Sequence, residues 1–472
     1  NFAGILPVPR HRRAMTVLSC SGSDHVSTTL TSLPGGVLSL FWPADRVLLG
    51  IRSCKWLREQ LMSVPCIVLH AKKAEHSKIP EASDVHEDIS RFCICGMKIA
   101  LKAVATEYES ATYFRKHCFF GAIFRGLARV LAEGASSSLE QLDFTLHPMG
   151  NFYARLLACS LQECPQLTSL SLSGVGLTCD GLDSLVSALG TTRVLTHLDV
   201  SRNDLAKQGV QTLSRLLQLL PQLVHLDLSH TTVCKREAGS LTCQLPVGLS
   251  FLDMSFCRMK VAGGLQLARM LGQRTALTSL RVSGNDFGQA AAAAVVRELR
   301  HHTQLQLLDL SRNSIGESGA RELGMVLLEL PAVTHLNLSM NGLGLQAGPR
   351  LLPHLGWKTA GALAHLDLSY TSIQTDGAVT LASVLQGSSE LKTLDLSACS
   401  IFLTVRQPGC FGPGLQAMID LLSSCRKLHF LSLEHNHVLE QAVVELRNVA
   451  EHPSREAPAL LALTTRHREC EQ

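Results

Sequence analysis

The chain has 472 residues, enough for two or three ordinary domains or for one long repeat array with something attached. Its formal net charge of +4 is small for that length, so nothing calls for a nucleic-acid partner, and no run of about 18 apolar residues marks a membrane span. Sixteen cysteines are scattered without a CxxC pair, which argues against a paired zinc site and against a disulfide framework. They read as small buried hydrophobes in a reducing compartment, cytoplasm or nucleus.

Taken in order, residues 1–30 hold a basic cluster (Arg10, His11, Arg12, Arg13) and then a Ser/Thr-rich stretch, and read as a disordered lead. The sequence opens on Asn1 rather than Met, as a piece of a longer protein would. Residues 31–70 carry three apolar clusters: Val37, Leu38, Leu40 and Phe41; Val47, Leu48, Leu49 and Ile51; Trp56, Leu57 and Leu61. They predict a small bundle of three short helices. Residues 71–96 are polar and charged and contain Pro80, the composition of a linker. Residues 97–138 predict a helical cap. Phe124, Leu127, Val130 and Leu131 share one face there, and a stacked array needs such a cover for its first open edge.

From 139 to 450 one pattern repeats. Leu305, Leu308, Leu310, Asn313 and Ile315 stand at offsets 0, 3, 5, 8 and 10, and Val333, Leu336, Leu338, Asn341 and Leu343 repeat them 28 residues later. This spacing, LxxLxLxxNxL, is the leucine-rich-repeat signature. The LxL pair puts two leucines on one side of a short strand. The Asn amide can satisfy backbone groups where the chain turns away. Ala320, Leu323, Val326, Leu327 and Leu330 then follow at helical spacing. Unit starts fall at Leu139, Leu167, Leu195, Leu223, Leu249, Leu277, Leu305, Val333, Leu363, Leu391 and Leu428, about eleven units. Gly181, Gly209, Gly263, Gly319 and Gly377 recur 14 residues after their starts, where a missing side chain lets the helix approach closely. The interval of 37 before Leu428 marks an insertion near Phe402–Cys410. Residues 451–472 form a tail of mixed charge.

Residues alternating with the strand leucines face away from the helices. One row holds Asp143, Asp199, Asp227, Asp253, Arg281, Asp309, Asn337, Asp367 and Asp395, an acidic stripe with a basic break. The row two positions earlier holds His197, His225, Phe251, Leu307, His335, His365 and Phe430. Neighbouring strands lie about 4.8 Å apart, so both rows form ladders. Together they are the expected partner-binding surface, fitted to a basic protein patch, with Phe251, Leu307 and Phe430 as apolar anchors. A serine row from Ser173 to Ser397 runs beside them. The His197–Asp199 and His225–Asp227 pairs have metal-compatible chemistry, but the repeat generates that arrangement by itself, and neither a metal nor a cofactor is expected. No GxxxxGK[ST], HExxH or GxSxG occurs, so no catalytic residue is proposed.

Two resemblances bear on these readings. The units, 28 residues long with a full helix, resemble the ribonuclease-inhibitor class of leucine-rich repeats. That class includes the GTPase activator of Ran, the sensing ends of NOD-like receptors and the tail of Tonsoku-like proteins. It implies an α/β solenoid, a horseshoe with parallel strands on the concave face and helices on the convex face, monomeric and without enzymatic activity. The order Leu33-Pro34, Val37-Leu38, Phe41, Asp45, Leu48, Cys54-Lys55 and Trp56 resembles an F-box. Phe41-Trp42-Pro43 stands where that family has a longer apolar run. The resemblance implies that Leu33, Pro34, Leu38, Phe41 and Trp56 contact a Skp1-type adaptor, making the chain a substrate receptor of an SCF-type ubiquitin ligase. The alternative within the first resemblance is a GTPase-activating protein for a Ran-like GTPase. It lacks support from an acidic tail or an arginine loop at the start of the array, since Arg155 lies in a predicted helix.

Overall fold

The computed structural model describes the chain as follows. Between residues 15 and 103 it gives five strands, at 15–19, 27–33, 37–42, 66–71 and 98–103; from 140 to 463 it describes all residues except 147–148, 163, 206–207, 232–244, 274–276, 344–350, 356–361, 403–411, 437, 439 and 453–457. Two compact units divide the chain. The first comprises residues 1–233 and 242–248, the second residues 234–241 and 249–472.

The first unit opens with strands where helices were expected. β1 (Met15–Ser19) and β2 (Ser27–Leu33) pair antiparallel, as do β2 and β3 (Val37–Trp42). Then β3, β4 (Cys66–Ala71), β5 (Lys98–Ala103) and β6 (Gln141–Asp143) run parallel. Three expectations change. The lead carries β1 and the start of β2. Leu33, Leu38 and Phe41 stand in strands rather than helices, while Pro34 and Trp56 lie outside the described residues. The segment expected to begin a helical cap begins with β5, and the rest of that cap, including 119–133, lies outside the described residues, as do the linker residues 72–96. The physical reason is legible: Thr28-Thr29-Leu30-Thr31 is rich in β-branched residues, and Lys98-Ile99-Ala100-Leu101-Lys102 alternates with period two. The run at Val37–Trp42 is too short for periodicity to separate a strand from a helix.

Regular repeats complete this unit. β6 continues in parallel through β7 (Ser169–Ser171), β8 (His197–Asp199) and β9 (His225–Asp227). Helices α1 (Gly150–Leu161), α2 (Cys179–Leu189) and α3 (Gly209–Leu219) follow the strands in alternation.

The second unit is a parallel ladder of eight strands among its described residues. These are β10 (Phe251–Asp253), β11 (Ser279–Arg281), β12 (Leu307–Asp309), β13 (His335–Asn337), β14 (His365–Asp367), β15 (Thr393–Asp395), β16 (Phe430–Ser432) and β17 (Leu460–Ala462). Each pairs in register with the next, so Phe251, Ser279, Leu307, His335, His365, Thr393, Phe430 and Leu460 form one row. β17 falls in the stretch expected to be a tail; Leu460-Leu461-Ala462 supplies one more apolar strand, which the open edge of β16 accepts. Its helices are α4 (Lys260–Leu271), α5 (Gly288–Glu298), α6 (Gly316–Leu327), α7 (Gln374–Leu385), α8 (Pro413–Ser424) and α9 (Glu440–Ala450). Among the described residues no helix is long and apolar enough to cross a membrane.

The repeat pattern fixes the core directly. Leu305, Leu308, Leu310, Asn313 and Ile315 are all buried. Asn313 Nδ2 reaches the carbonyls of Val282, Leu310 and Ser311 at 2.8, 3.1 and 3.0 Å, and its Oδ1 accepts the Asn285 amide at 3.1 Å. Asn203, Asn285, Asn341 and Asn436 make equivalent bonds. Where Asn is missing, Thr231 donates to the carbonyl of Leu228 at 2.7 Å and Thr371 to that of Leu368. Buried backbone carbonyls at the turn therefore have partners in each of these units, which is what holds successive turns in register. Three of the recurrent glycines, Gly263, Gly319 and Gly377, are close-packed against the preceding turn rather than against the strands. A Cβ at Gly263 would stand 2.6 Å from Met259 Cβ, and one at Gly377 2.8 Å from Ile373 Cβ. Cys164, Cys257, Cys399 and Cys425 are buried, and burial pushes the Cys399 thiol upward.

Candidate functional site

In the strand triplets from β6 to β16 the central leucine is buried while its two neighbours are, with few exceptions, partly exposed, so the fold presents two side-chain rows per unit on the face away from the helices. The acidic row has two different atoms at work. One oxygen of each carboxylate belongs to the fold: Oδ1 accepts the amide two residues on. The distances are 2.9 Å for Asp199–Ser201, 2.8 Å for Asp227–Ser229, 2.8 Å for Asp253–Ser255, 3.0 Å for Asp309–Ser311, 2.9 Å for Asp367–Ser369 and 2.9 Å for Asp395–Ser397. The Ser311, Ser369 and Ser397 hydroxyls donate to the same oxygens at 2.7, 2.7 and 2.6 Å. Asn337 accepts the identical pair from Ser339, at 3.0 and 2.8 Å. The local requirement is thus an acceptor oxygen, not a charge. The second oxygen is not tied to this turn, and at Asp199 and Asp253 it meets Ser171 and Arg281.

In the first unit the face brings together His197, Asp199, His225 and Asp227. The two imidazoles stack with centroids 5.4 Å apart, and Thr196 Oγ1 lies 2.8 Å from His197 Nδ1. Asp199 Oδ2 accepts the Ser171 hydroxyl at 3.2 Å. Burial, and then the neighbouring Asp227, hold the Asp199 carboxyl above the ordinary range.

The second unit brings together the remaining predicted residues. Arg281, the break in the stripe, places its guanidinium 5.5 Å from the centroid of Phe251 and its Nη1 4.0 Å from Asp253 Oδ2. It is a register partner of both Asp253 and Asp309, so that part of the stripe carries its own counter-charge. His335 and His365 stack at 4.2 Å, and His365 Nδ1 lies 2.8 Å from Thr393 Oγ1. Burial lowers both imidazoles; Arg281 and Lys392 add to this at His335, and His335, Lys392 and His429 at His365. Asp367 is pushed up by burial and by Asp395, its register partner. Phe430 is partly exposed at β16. Among the described residues no group of three or more His, Cys, Asp or Glu is placed to share a metal ion. The insertion residues Arg406, Pro408 and Phe411 lie outside the described residues.

Sequence reasoning missed one row. The residue after each serine has a positive φ, and Arg202, His230, Phe256, Arg312, Met340 and Tyr370 are exposed there. No periodic signal marks this position, because its side chains share neither polarity nor size. Aligning the units on their leucines is the one cue that would have exposed its variability.

A family model described as leucine-rich repeat matches residues 193–214 and 301–324. No curated protein matches the sequence. Among solved structures, a chain of the Rad7 and Elc1 complex in yeast is similar at 15% identity, covering 89% of this chain and 87% of that one, with a TM-score of 0.49. An internalin from Listeria monocytogenes is similar at 14% identity, covering 89% and 94%, with a TM-score of 0.43. The leucine-rich repeat-containing protein LegL7 from Legionella pneumophila is similar at 19% identity, covering 68% and 90%, with a TM-score of 0.38. The fold is a leucine-rich-repeat solenoid, and two of its repeats match the leucine-rich-repeat family.

Proposed function

We propose that the protein is a non-enzymatic scaffold that binds a protein partner on its strand faces. One observation carries this reading: a hydrogen-bonded frame that repeats from unit to unit holds outward positions whose side chains vary, from His197 to Phe251, Arg281 and Phe430. Such a surface is ordered before the partner arrives, so little conformational freedom is lost on binding. The test is affinity purification with the full chain beside a variant carrying Phe251→Ser, Leu307→Ser and Phe430→Ser. A defined set of proteins lost from the variant, at unchanged circular dichroism, supports the reading. Identical capture by both chains removes it.

The finer reading, a substrate receptor of an SCF-type ligase, rests on the F-box resemblance at Leu33, Pro34, Leu38, Phe41 and Trp56. The strand conformation at three of these residues weighs against a helical hook. Direct binding of a purified Skp1-type adaptor to the full chain, abolished by Leu33→Ala with Pro34→Ala, is the result it requires.

A further inference from the structure

Just after the serine row, each repeat from β6 to β16 turns through a residue with φ between +53° and +67°. The amide of this residue donates to the carbonyl of the corresponding Ser in the next repeat: Arg312 to Ser339 at 2.9 Å, Met340 to Ser369 at 2.8 Å and Tyr370 to Ser397 at 2.8 Å. Glycine, which the conformation favours, stands there only as Gly174 and Gly284. Elsewhere an L side chain is held in a disfavoured geometry and, except at Ala398, is exposed. Met340 is 38% and Tyr370 46% accessible.

Five of these residues, Arg202, Gly284, Arg312, Met340 and Tyr370, are hinged to a serine that in turn holds the outward side chain of the next strand, so turn residue and outward side chain come in pairs. In the first unit Arg202 is hinged to Ser229, which holds Asp227. That pair contains its own cation. In the second unit Gly284 pairs with Asp309, and Arg312 with the neutral Asn337. Met340 pairs with Asp367 and Tyr370 with Asp395. Within the second unit, these two join an exposed apolar side chain to a carboxylate, and they are adjacent, since Asp367 and Asp395 are register partners. Arg281 serves Asp253, and Lys392, just before its strand, acts on His335 and His365. Two neighbouring carboxylates accompanied by Met and Tyr therefore form an acidic, apolar edge, and among the described residues no ion pair involves either carboxylate.

We propose that Met340, Tyr370, Asp367 and Asp395 form a docking edge for a protein segment that presents an arginine or lysine, whose aliphatic stem lies on Tyr370 and Met340 while its charge reaches the two carboxylates. Such a side chain suits both halves of the edge, an apolar stem for the ring and a cation for the acids. The proposal rests on the strand-face reading above and narrows it to one margin and one partner chemistry.

The test is selection of a displayed library of random short peptides on the full chain. The expected outcome is enrichment of arginine- or lysine-bearing sequences. Their affinity falls about tenfold or more with Tyr370→Ala and with Asp367→Asn plus Asp395→Asn, and is unchanged by Asp199→Asn. The Asn variants keep the fold, since Asn337 already accepts both serine bonds in this row. Enriched peptides without a basic bias overturn the proposal. Binders lost with Phe251→Ala or Leu307→Ala but not with the edge variants overturn it while leaving the strand-face reading standing. Binders indifferent to every face variant, or no enrichment at all, overturn both. Self-association in sedimentation that Tyr370→Ala abolishes assigns the edge to a second copy of the chain and also overturns it.

Discussion

His335 and His365, on adjacent strands, stack their imidazoles at 4.2 Å with ring planes 19° apart. Charging both places two cations face to face beside Lys392, which disfavours the doubly protonated pair. Both are lowered by burial first, so both should titrate below about 6.5, the unperturbed imidazole value. Their contribution to stability is fully present above that pH and is lost as pH falls through it toward the folded values. Proton NMR titration checks this. Lys392→Ala should raise both midpoints, and Arg281→Ala that of His335. A midpoint for either residue above the unperturbed value refutes the account.

A second acid-sensitive group lies in the core. His302 is fully buried, its Nε2 sits 3.3 Å from the Leu271 carbonyl, and its Nδ1 has no partner. Burial lowers its affinity for a proton, so the folded state holds it neutral. The unfolded chain binds that proton at higher pH; stability therefore declines as pH drops below about 6.5. Leu220 and Leu330 occupy the same position in other repeats and are buried there. His302→Leu should add about 1 kcal/mol at neutral pH and flatten the acid side of the stability curve by one proton, read by urea denaturation at several pH values. Lower stability at pH 7 would mean that the imidazole fits its site better than leucine does.

Asn313 should be the least replaceable polar side chain in the array. Alanine there leaves the amide of Asn285 without its partner and removes one of two side-chain bonds at the carbonyls of Val282 and Leu310, which keep those from Asn285 and Asn341. A loss of about 2 kcal/mol is expected in chemical denaturation. Asn313→Thr should recover part of it, since Thr231 and Thr371 do this work in their own units. Equal losses for Ala and Thr would show that the carbonyl bond made by threonine contributes nothing.

The acidic row separates charge from acceptor. Asp309→Asn should change stability by less than about 0.5 kcal/mol, because the amide oxygen accepts the same amide and hydroxyl of Ser311. Asp309→Ala should cost about 1–2 kcal/mol by releasing both. Thermal unfolding of the two variants distinguishes them; parallel losses would mean that the charge itself stabilises the strand face.

The sequence by itself determined the repeat, its length, the buried leucines and the ladder rows, because a structure with one period imposes that period on the residues. Leu308 is central in its strand and buried because every unit must bury the same knob, and spacing suffices to show it. Tertiary structure decided what spacing does not encode. The segments at 27–33, 37–42 and 98–103 form strands because neighbouring strands offer edges that a short apolar run fills as readily as it would a helix face. By spacing the seven aspartates are equal charges; hydrogen bonding assigns one oxygen of each to the fold, and Arg281 counters one of them, Asp253. Met340 and Tyr370 share no pattern with their counterparts, and only the backbone bonds link them, through Ser369 and Ser397, to Asp367 and Asp395. Periodicity specifies the frame because the frame repeats, whereas recognition depends on what differs between repeats, and that is settled by contacts across strands distant in sequence.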